Sequence, residues 1–170
     1  LNGGAGIDAM AGGLGDDTYR VDNAGDVISE AAGQGYDIAF SAVNYSLGAG
    51  VSVERLGTIS AAAATAINLT GNALAQIITG NAGVNTLNDG GGAGADTLYG
   101  YGGDDIYRIG NAGTQILETA GQGNDFAFSA VNYTLATGVS IERLGTISAA
   151  AATAINLTGK IGRASCRERV

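Results

Sequence analysis

Repetition at two scales restricts the fold of this 170-residue chain more than any other feature of its sequence. On the long scale, residues 54–71 are identical to residues 142–159, which places one copy of the unit 88 positions after the other. We therefore divide the chain into a first unit over 1–88 and a second, incomplete unit over 89–159. Chains of this kind stack their units into an extended array, in which each unit contacts only its neighbours.

A nine-residue repeat lies inside each unit and has the form G-G-x-G-x-D-x-U-x, where U is a large apolar residue. Four close copies occupy 3–11, 12–20, 91–99 and 100–108. Weaker copies at 71–79 and 80–88 replace the aspartate by Gln76 and Asn85. Glycine permits positive φ, so the first six residues can form a tight loop that is followed by three extended residues.

Such a repeat makes half a turn of a flattened coil, with its apolar residue pointing inwards. Repeats n and n+2 then stack on the same edge, with their strands about 4.8 Å apart. The sequence therefore predicts an all-β fold, a parallel β-roll or β-solenoid in which longer coils separate the nonapeptides. Residues 38–70 alternate with period two and are predicted to contribute strands. The alanine-rich run 60–65 is too short for a stable helix and is expected to stack inside the coil.

Composition excludes several functional classes. The chain has no histidine and one cysteine, which excludes His-dependent catalytic units, His-ligated zinc or iron sites and a disulfide framework within the chain. Its 16 acidic and 8 basic residues give a net charge of −8, whereas a nucleic-acid-binding protein needs a basic surface. No apolar run approaches the about 20 residues of a membrane-spanning helix. We therefore expect neither nucleic acid as a partner nor a membrane span.

The four close nonapeptides resemble the calcium-binding repeats of the RTX, or hemolysin-type, family. The resemblance implies a β-roll in which Ca²⁺ lies between stacked loops. Calcium takes about six to eight oxygen ligands, and two loops that each offer carbonyls and one aspartate meet that demand. The resemblance also implies export by the type I secretion machinery, so a secreted, extracellular or cell-surface location is expected.

The predicted carboxylate ligands are the aspartates at the sixth position of the repeats: Asp8, Asp17, Asp26, Asp37, Asp96, Asp105 and Asp125. The predicted backbone-carbonyl ligands lie in the same loops: Gly12, Leu14, Gly33, Gly100, Gly102 and Gly121. Because loops two repeats apart stack on one edge, we expect Asp17 to face Asp37. The equivalent pair in the second unit is Asp105 with Asp125.

The remaining aspartates are expected to be less favourable ligands. Asp8 should lie near Asp26. In the second unit Thr114 stands at the position of Asp26, so Asp96 should bind more weakly or use Gln76. A Gly-Asp loop can also be an ordinary turn. Four tandem copies in register favour a metal site, whereas for each weaker copy an ion-free turn is an equally open alternative.

The other recurrent charged residues are interpreted as solvated surface or edge charges: Asp16, Asp104, Glu30, Glu118, Glu54, Glu142, Arg20, Arg108, Arg55 and Arg143. Residues 160–170 hold four basic residues, one acidic residue and the single Cys166, an abrupt change of composition. We interpret this tail as not native, with a basic interaction tail as the alternative. The chain also begins within a repeat, so both ends are interpreted as truncated.

The predicted function is a calcium-binding β-roll segment of a larger secreted bacterial protein, which folds on binding Ca²⁺. Two carboxylates about 4 Å apart repel each other by about 4 kcal/mol at an effective dielectric constant of 20. The alternatives are a structural stalk or adhesin segment, and a non-catalytic accessory module of a secreted enzyme such as a lipase, protease or alginate epimerase. Enzymatic activity is not expected, because the glycine loops already occupy the aspartates that acid–base chemistry would need.

Overall fold

The computed structural model describes residues 1–147 and 154–159. Within these ranges the chain has sixteen β-strands and no helix, and it winds into a β-solenoid of about 7 turns. All strand pairs are parallel, which confirms the predicted all-β, β-roll architecture. The interpretation of 160–170 as a non-native tail lies outside the described residues.

The chain passes alternately between two parallel sheets. Sheet I contains β2 (Thr18–Val21), β4 (Ile38–Ser41), β6 (Arg55–Thr58), β8 (Ile77–Thr79), β10 (Thr97–Tyr99) and β12 (Gln115–Ile116). Sheet II contains β5 (Tyr45–Ser46), β7 (Leu69–Thr70), β9 (Thr86–Asn88), β11 (Ile106–Ile109), β13 (Phe126–Ser129) and β15 (Arg143–Thr146). Two further pairs join β1 (Ala9–Ala11) to β3 (Val27–Ser29) and β14 (Tyr133–Thr134) to β16 (Leu157–Thr158).

Each strand pairs with the strand two positions along the chain, as the stacking rule predicts. The central inward residues of sheet I form a continuous ladder: Tyr19, Ala39, Leu56, Ile78, Leu98 and Ile116. These side chains are 0–1% exposed, because the period-two alternation of a strand points them all between the sheets. In sheet II, Leu69, Leu87, Tyr107 and Ala127 form the equivalent ladder.

The 88-residue unit contains an odd number of half-turns, so its two copies are not placed equivalently. Strand β2 lies in sheet I, whereas β11, its counterpart in the second unit, lies in sheet II. We call edge A the edge at which loops enter sheet I, and edge B the edge at which loops enter sheet II. Loops that match in sequence, such as 12–17 and 100–105, therefore lie on opposite edges of the solenoid.

The expected burial of the alanine-rich run 60–65 is wrong. Ala61, Ala62 and Ala64 are exposed in the loop between β6 and β7. The paired residues Leu56 and Ile78 are 22 positions apart in this coil, against 20 between Ile78 and Leu98 in the next. The surplus chain leaves the coil as a surface loop, since alanine gains little by burial.

Candidate metal sites

Two groups of three carboxylates lie at the edges of the solenoid. Cluster 1, on edge A, consists of Asp17, Glu30 and Asp37. Cluster 2, on edge B, consists of Asp105, Glu118 and Asp125. In each cluster one oxygen from each carboxylate lies within 4.8 Å of the other two. All three residues of cluster 2 are buried, whereas Asp17 of cluster 1 is only partly buried.

Loop stacking brings the predicted aspartate pairs together. The backbone N–H of Asp17 donates to Oδ1 of Asp37 at 2.8 Å. The N–H of Asp105 donates to Oδ1 of Asp125 at 2.9 Å. Each of these aspartates stands at the end of a glycine loop. The carboxylate of the later aspartate of each pair accepts the backbone amide of the earlier one, which lies in the preceding coil. The structure thus places Asp17 against Asp37 and Asp105 against Asp125, as the stacking rule predicts.

The same contact recurs along both edges as a ladder of carboxylates and amides. Oδ1 of Asp26 accepts the N–H of Asp8 at 3.0 Å, so this expected pair also meets. Glu54 and Glu142 take the aspartate role in the following coil, since their Oε2 atoms accept the amides of Asp37 at 2.7 Å and Asp125 at 2.6 Å. The sequence analysis interpreted both glutamates as solvated surface or edge charges. The structure places them at the edges, half-buried and within the ladder.

One oxygen of several ladder carboxylates is engaged in this way while another is left without a partner. The buried oxygens with no hydrogen-bond partner in the described part of the chain are Asp8 Oδ2, Glu30 Oε1, Asp96 Oδ2 and Asp105 Oδ2. A buried polar atom that makes no hydrogen bond costs about 1–3 kcal/mol, and more when the group is charged. These atoms are where a cation would contribute most.

Glu30 and Glu118 correct the sequence analysis, which placed them at the surface. They are only 6% and 3% exposed. The Tyr19 hydroxyl donates to Glu30 and the Tyr107 hydroxyl donates to Glu118. The signal that could have identified them is strand alternation: Glu30 follows the inward Ile28 by two positions, so it also points inwards.

Burial changes the acidity of cluster 2. Burial, together with the nearby charge of Asp125, raises the pKa of Asp105 to about 7. Burial likewise raises the pKa of Glu118 to about 7 and that of Asp125 to about 6. In cluster 1, burial raises the pKa of Asp37. The fold therefore holds these carboxylates where their charged forms are poorly solvated, unless a cation compensates them.

In the coils that carry Asn85 or Gln76 in place of an aspartate, side-chain amides form the hydrogen bonds that the buried polar groups need. Nδ2 of Asn85 donates to the carbonyl of Ile67 at 2.9 Å, and Nε2 of Gln76 donates to Oδ1 of Asn72 at 2.8 Å. Nδ2 of Asn72 in turn donates to the carbonyls of Gly48 and Val51, both at 2.8 Å. The side-chain amide N–H groups of these coils therefore donate to loop carbonyls and to a neighbouring amide oxygen.

The buried carboxylates of Asp96 and Asp89 differ in whether donors from the protein satisfy all of their buried oxygens. Asp96 accepts the backbone N–H of Gln76 at 2.6 Å, and burial raises its pKa to about 7. Asp89, which the sequence analysis did not single out, is 0% exposed. Its Oδ2 accepts the amides of Gly110 at 2.8 Å and Asn111 at 3.1 Å. Protein donors therefore satisfy Asp89, whereas Asp96 keeps a buried oxygen without a partner in the described residues.

The hydroxyl of Thr114, the residue that replaces an aspartate in the second unit, also donates to Asp89, at 2.9 Å. Thr114 therefore stabilises a neighbouring carboxylate and adds no charge of its own.

The other predicted site residues lie in the loops that border the clusters. The six backbone carbonyls belong to loops 12–17, 30–37, 100–105 and 118–125, and their role as ligands stays a prediction. Asp16 and Asp104 are exposed, as expected. Each also bridges two coils, since Asp16 accepts the N–H of Tyr36 at 2.8 Å and Asp104 accepts that of Asn124 at 2.9 Å.

The first glycine of the repeat leaves room for the carboxylate. A methyl group on Gly100 would overlap the Asp105 carboxylate and the Tyr107 hydroxyl, whereas one on Gly102 would find its nearest neighbours at 3.8 Å. We expect Gly100→Ala to displace the carboxylate and lower the free energy of unfolding by about 2 kcal/mol or more. Gly102→Ala, the matched control, should change it little. Thermal unfolding measures both, and equal losses would contradict this role of Gly100.

The clusters are suited to a hard cation. Their donors are carboxylate oxygens beside loop carbonyls, which is the ligand type that Ca²⁺ and Mg²⁺ prefer. The chain has no histidine, so softer nitrogen-ligated sites are excluded. Among residues 1–147 and 154–159, no helix has the length and apolarity needed to cross a bilayer. Comparisons with protein-family models, curated proteins and solved structures gave no match to this chain.

Proposed function

We propose that this chain is a non-catalytic, calcium-binding β-roll segment of a secreted RTX protein. The observation that carries the proposal is the contrast between the two kinds of coil. Among the aspartate repeats, Asp8, Asp96 and Asp105 each keep a buried oxygen without a partner in the described residues. The coils of Asn85 and Gln76 instead satisfy their polar groups through side-chain amides. A divalent cation completes the first kind and is not needed by the second.

Coupling between metal binding and folding follows from this arrangement. Without an ion, the folded chain must bury carboxylates whose charges are uncompensated, which lowers its stability. A ligand that binds only the folded state stabilises it by RT ln(1 + [L]/Kd). Extracellular calcium modules bind at about 10⁻⁴–10⁻³ M, so the chain would stay unfolded in a calcium-poor cytosol. It would then fold after passage through a type I secretion channel.

A calcium titration of the chain, followed by circular dichroism after exhaustive chelation, tests the proposal. We expect a transition from coil to β-structure near about 10⁻³ M Ca²⁺ and none at the same concentration of Mg²⁺, which dehydrates reluctantly and demands octahedral geometry. An equal β-signal before and after Ca²⁺ addition would refute metal-coupled folding. An equal response to Mg²⁺ would refute the assignment to calcium.

A further inference from the structure

A groove of about 450 Å³ crosses three successive coils on edge B. It is lined chiefly by Tyr99, Tyr101, Leu117, Thr119, Gln122 and Val139. The rings of Tyr99 and Tyr101 are stacked, with their centroids 6.4 Å apart and their planes at 26°. Ligand sites are commonly concave, of this size, and lined by aromatic residues with a few polar groups.

The first unit of the same chain lacks this surface. At the equivalent positions it has Ala11 for Tyr99, Gly13 for Tyr101, Ser29 for Leu117 and Ala31 for Thr119. Every one of these differences places the larger side chain in the second unit. Glu118 and Gln122, which also line the groove, are unchanged from the first unit. The second unit thus adds an aromatic wall to a scaffold that folds without one.

Tyr101, one of the two tyrosines of this wall, has a strained backbone conformation. Its φ is 71°, and it is the one non-glycine residue with a positive φ among the described residues. Gly13, its counterpart, has a φ of 84°, so this loop position requires a left-handed conformation that glycine adopts freely. A bulky residue held in this region is costly, and such strain concentrates at ligand sites.

The chemistry of the groove selects a neutral, polyhydroxylated ligand. Flat aromatic faces pack against the C–H faces of pyranose rings. The hydroxyl of Thr119 donates to the amide oxygen of Gln122, which holds that side chain and leaves its amide nitrogen as a donor for sugar hydroxyls. The described lining contains no lysine or arginine, and the chain carries a net charge of −8, so anionic ligands are disfavoured.

A second depression extends the surface along the solenoid. It has a volume of about 310 Å³ and lies on the outer face of sheet I, lined by Tyr36, Arg55, Ile77, Thr79 and the same two tyrosines. Arg55 is the one cationic residue of this lining, and its guanidinium lies over the ring of Phe40, 6.0 Å from the centroid. Tyr99 and Tyr101 therefore line both depressions and lie between them. Together the two depressions cross several successive coils, whose strands are about 4.8 Å apart. We propose that this surface binds a linear, neutral oligosaccharide, with Tyr99 and Tyr101 as its central stacking platform.

Isothermal titration calorimetry of the full chain in saturating Ca²⁺ tests this inference with cellohexaose, chitohexaose, mannohexaose and maltohexaose as probes. We expect at least one to bind. Tyr99→Ala and Tyr101→Gly restore the residues of the first unit, and each should weaken binding about tenfold or more, as loss of a stacking contact does. Val27→Gln, an exposed exchange between the same two units, should leave the affinity unchanged.

Thermal unfolding separates this inference from the proposed calcium function. Tyr101→Gly removes backbone strain, so it should keep or raise Tm and leave the calcium response intact while glycan binding falls. The inference is overturned if none of the four hexasaccharides binds, or if both tyrosine variants bind as tightly as the wild type. Tighter binding of polygalacturonate or of tetramethylammonium would overturn it as well, since each would assign the groove to a charged ligand.

Discussion

Neutralising cluster 2 should make the metal-free chain more stable and remove the part of its calcium response that cluster 2 supplies. The double variant Asp105→Asn, Asp125→Asn keeps the two Oδ1 atoms that accept backbone amides in the ladder. It replaces the second oxygen of each side chain by an amide donor, the group that Asn85 uses to contact a loop carbonyl. Burial raises the pKa of both aspartates, so the folded state disfavours their charged forms. We expect a gain on the order of 3 kcal/mol without metal, seen as β-structure in the circular dichroism spectrum of the chelated variant, where the chelated wild type is coil.

The control for this prediction changes the same net charge at exposed positions. Asp16→Asn with Asp104→Asn removes two carboxylates next to the clusters, at residues that are exposed on edges A and B. Its circular dichroism spectrum under chelation should stay close to that of the wild type, and its calcium response should persist. If the exposed and buried pairs gave the same change, general relief of charge repulsion would explain the gain, and the buried carboxylates would have no special role.

The stability of the metal-free chain should fall as the pH rises from about 5 to about 8. The carboxyls of Asp96, Asp105 and Glu118 have folded-state pKa values of about 7, against ordinary values of 3.8 for aspartate and 4.5 for glutamate. Between these limits the folded chain binds more protons than the unfolded chain, so acid favours folding. The stabilisation is complete below the ordinary pKa and is lost as the pH passes through about 7.

Circular dichroism in excess chelator across this range measures the effect, and we expect the β-signal to be strongest near pH 5 and to be lost towards pH 8. Saturating calcium should reverse the trend, because metal ligands must be deprotonated and calcium affinity therefore rises with pH. A β-signal under chelation that rises steadily from pH 5 to pH 8 would show that these carboxylates are not desolvated in the folded state.

Much of the site follows from local rules. Glycine at fixed positions sets the loops, and strand alternation sets the inward residue, so the meeting of Asp17 with Asp37 could be predicted without coordinates. The same alternation extends past β3 to Glu30, but its charge led to a surface assignment. A hydrophobicity pattern alone does not show that Tyr19 supplies a buried hydroxyl for it.

The sequence by itself determined the coil, its inward ladder and the aspartate pairs, because each depends on residues within one or two repeats. Only the tertiary structure decided that clusters 1 and 2 lie on opposite edges, that Asp89 is satisfied by donors from another coil, and that Tyr99 and Tyr101 line a groove. These features depend on how many residues lie in each of the longer coils that separate the nonapeptides, and on which coils become neighbours. The residue at which each coil closes is decided by strand pairing with the adjacent coils, so no single repeat encodes it.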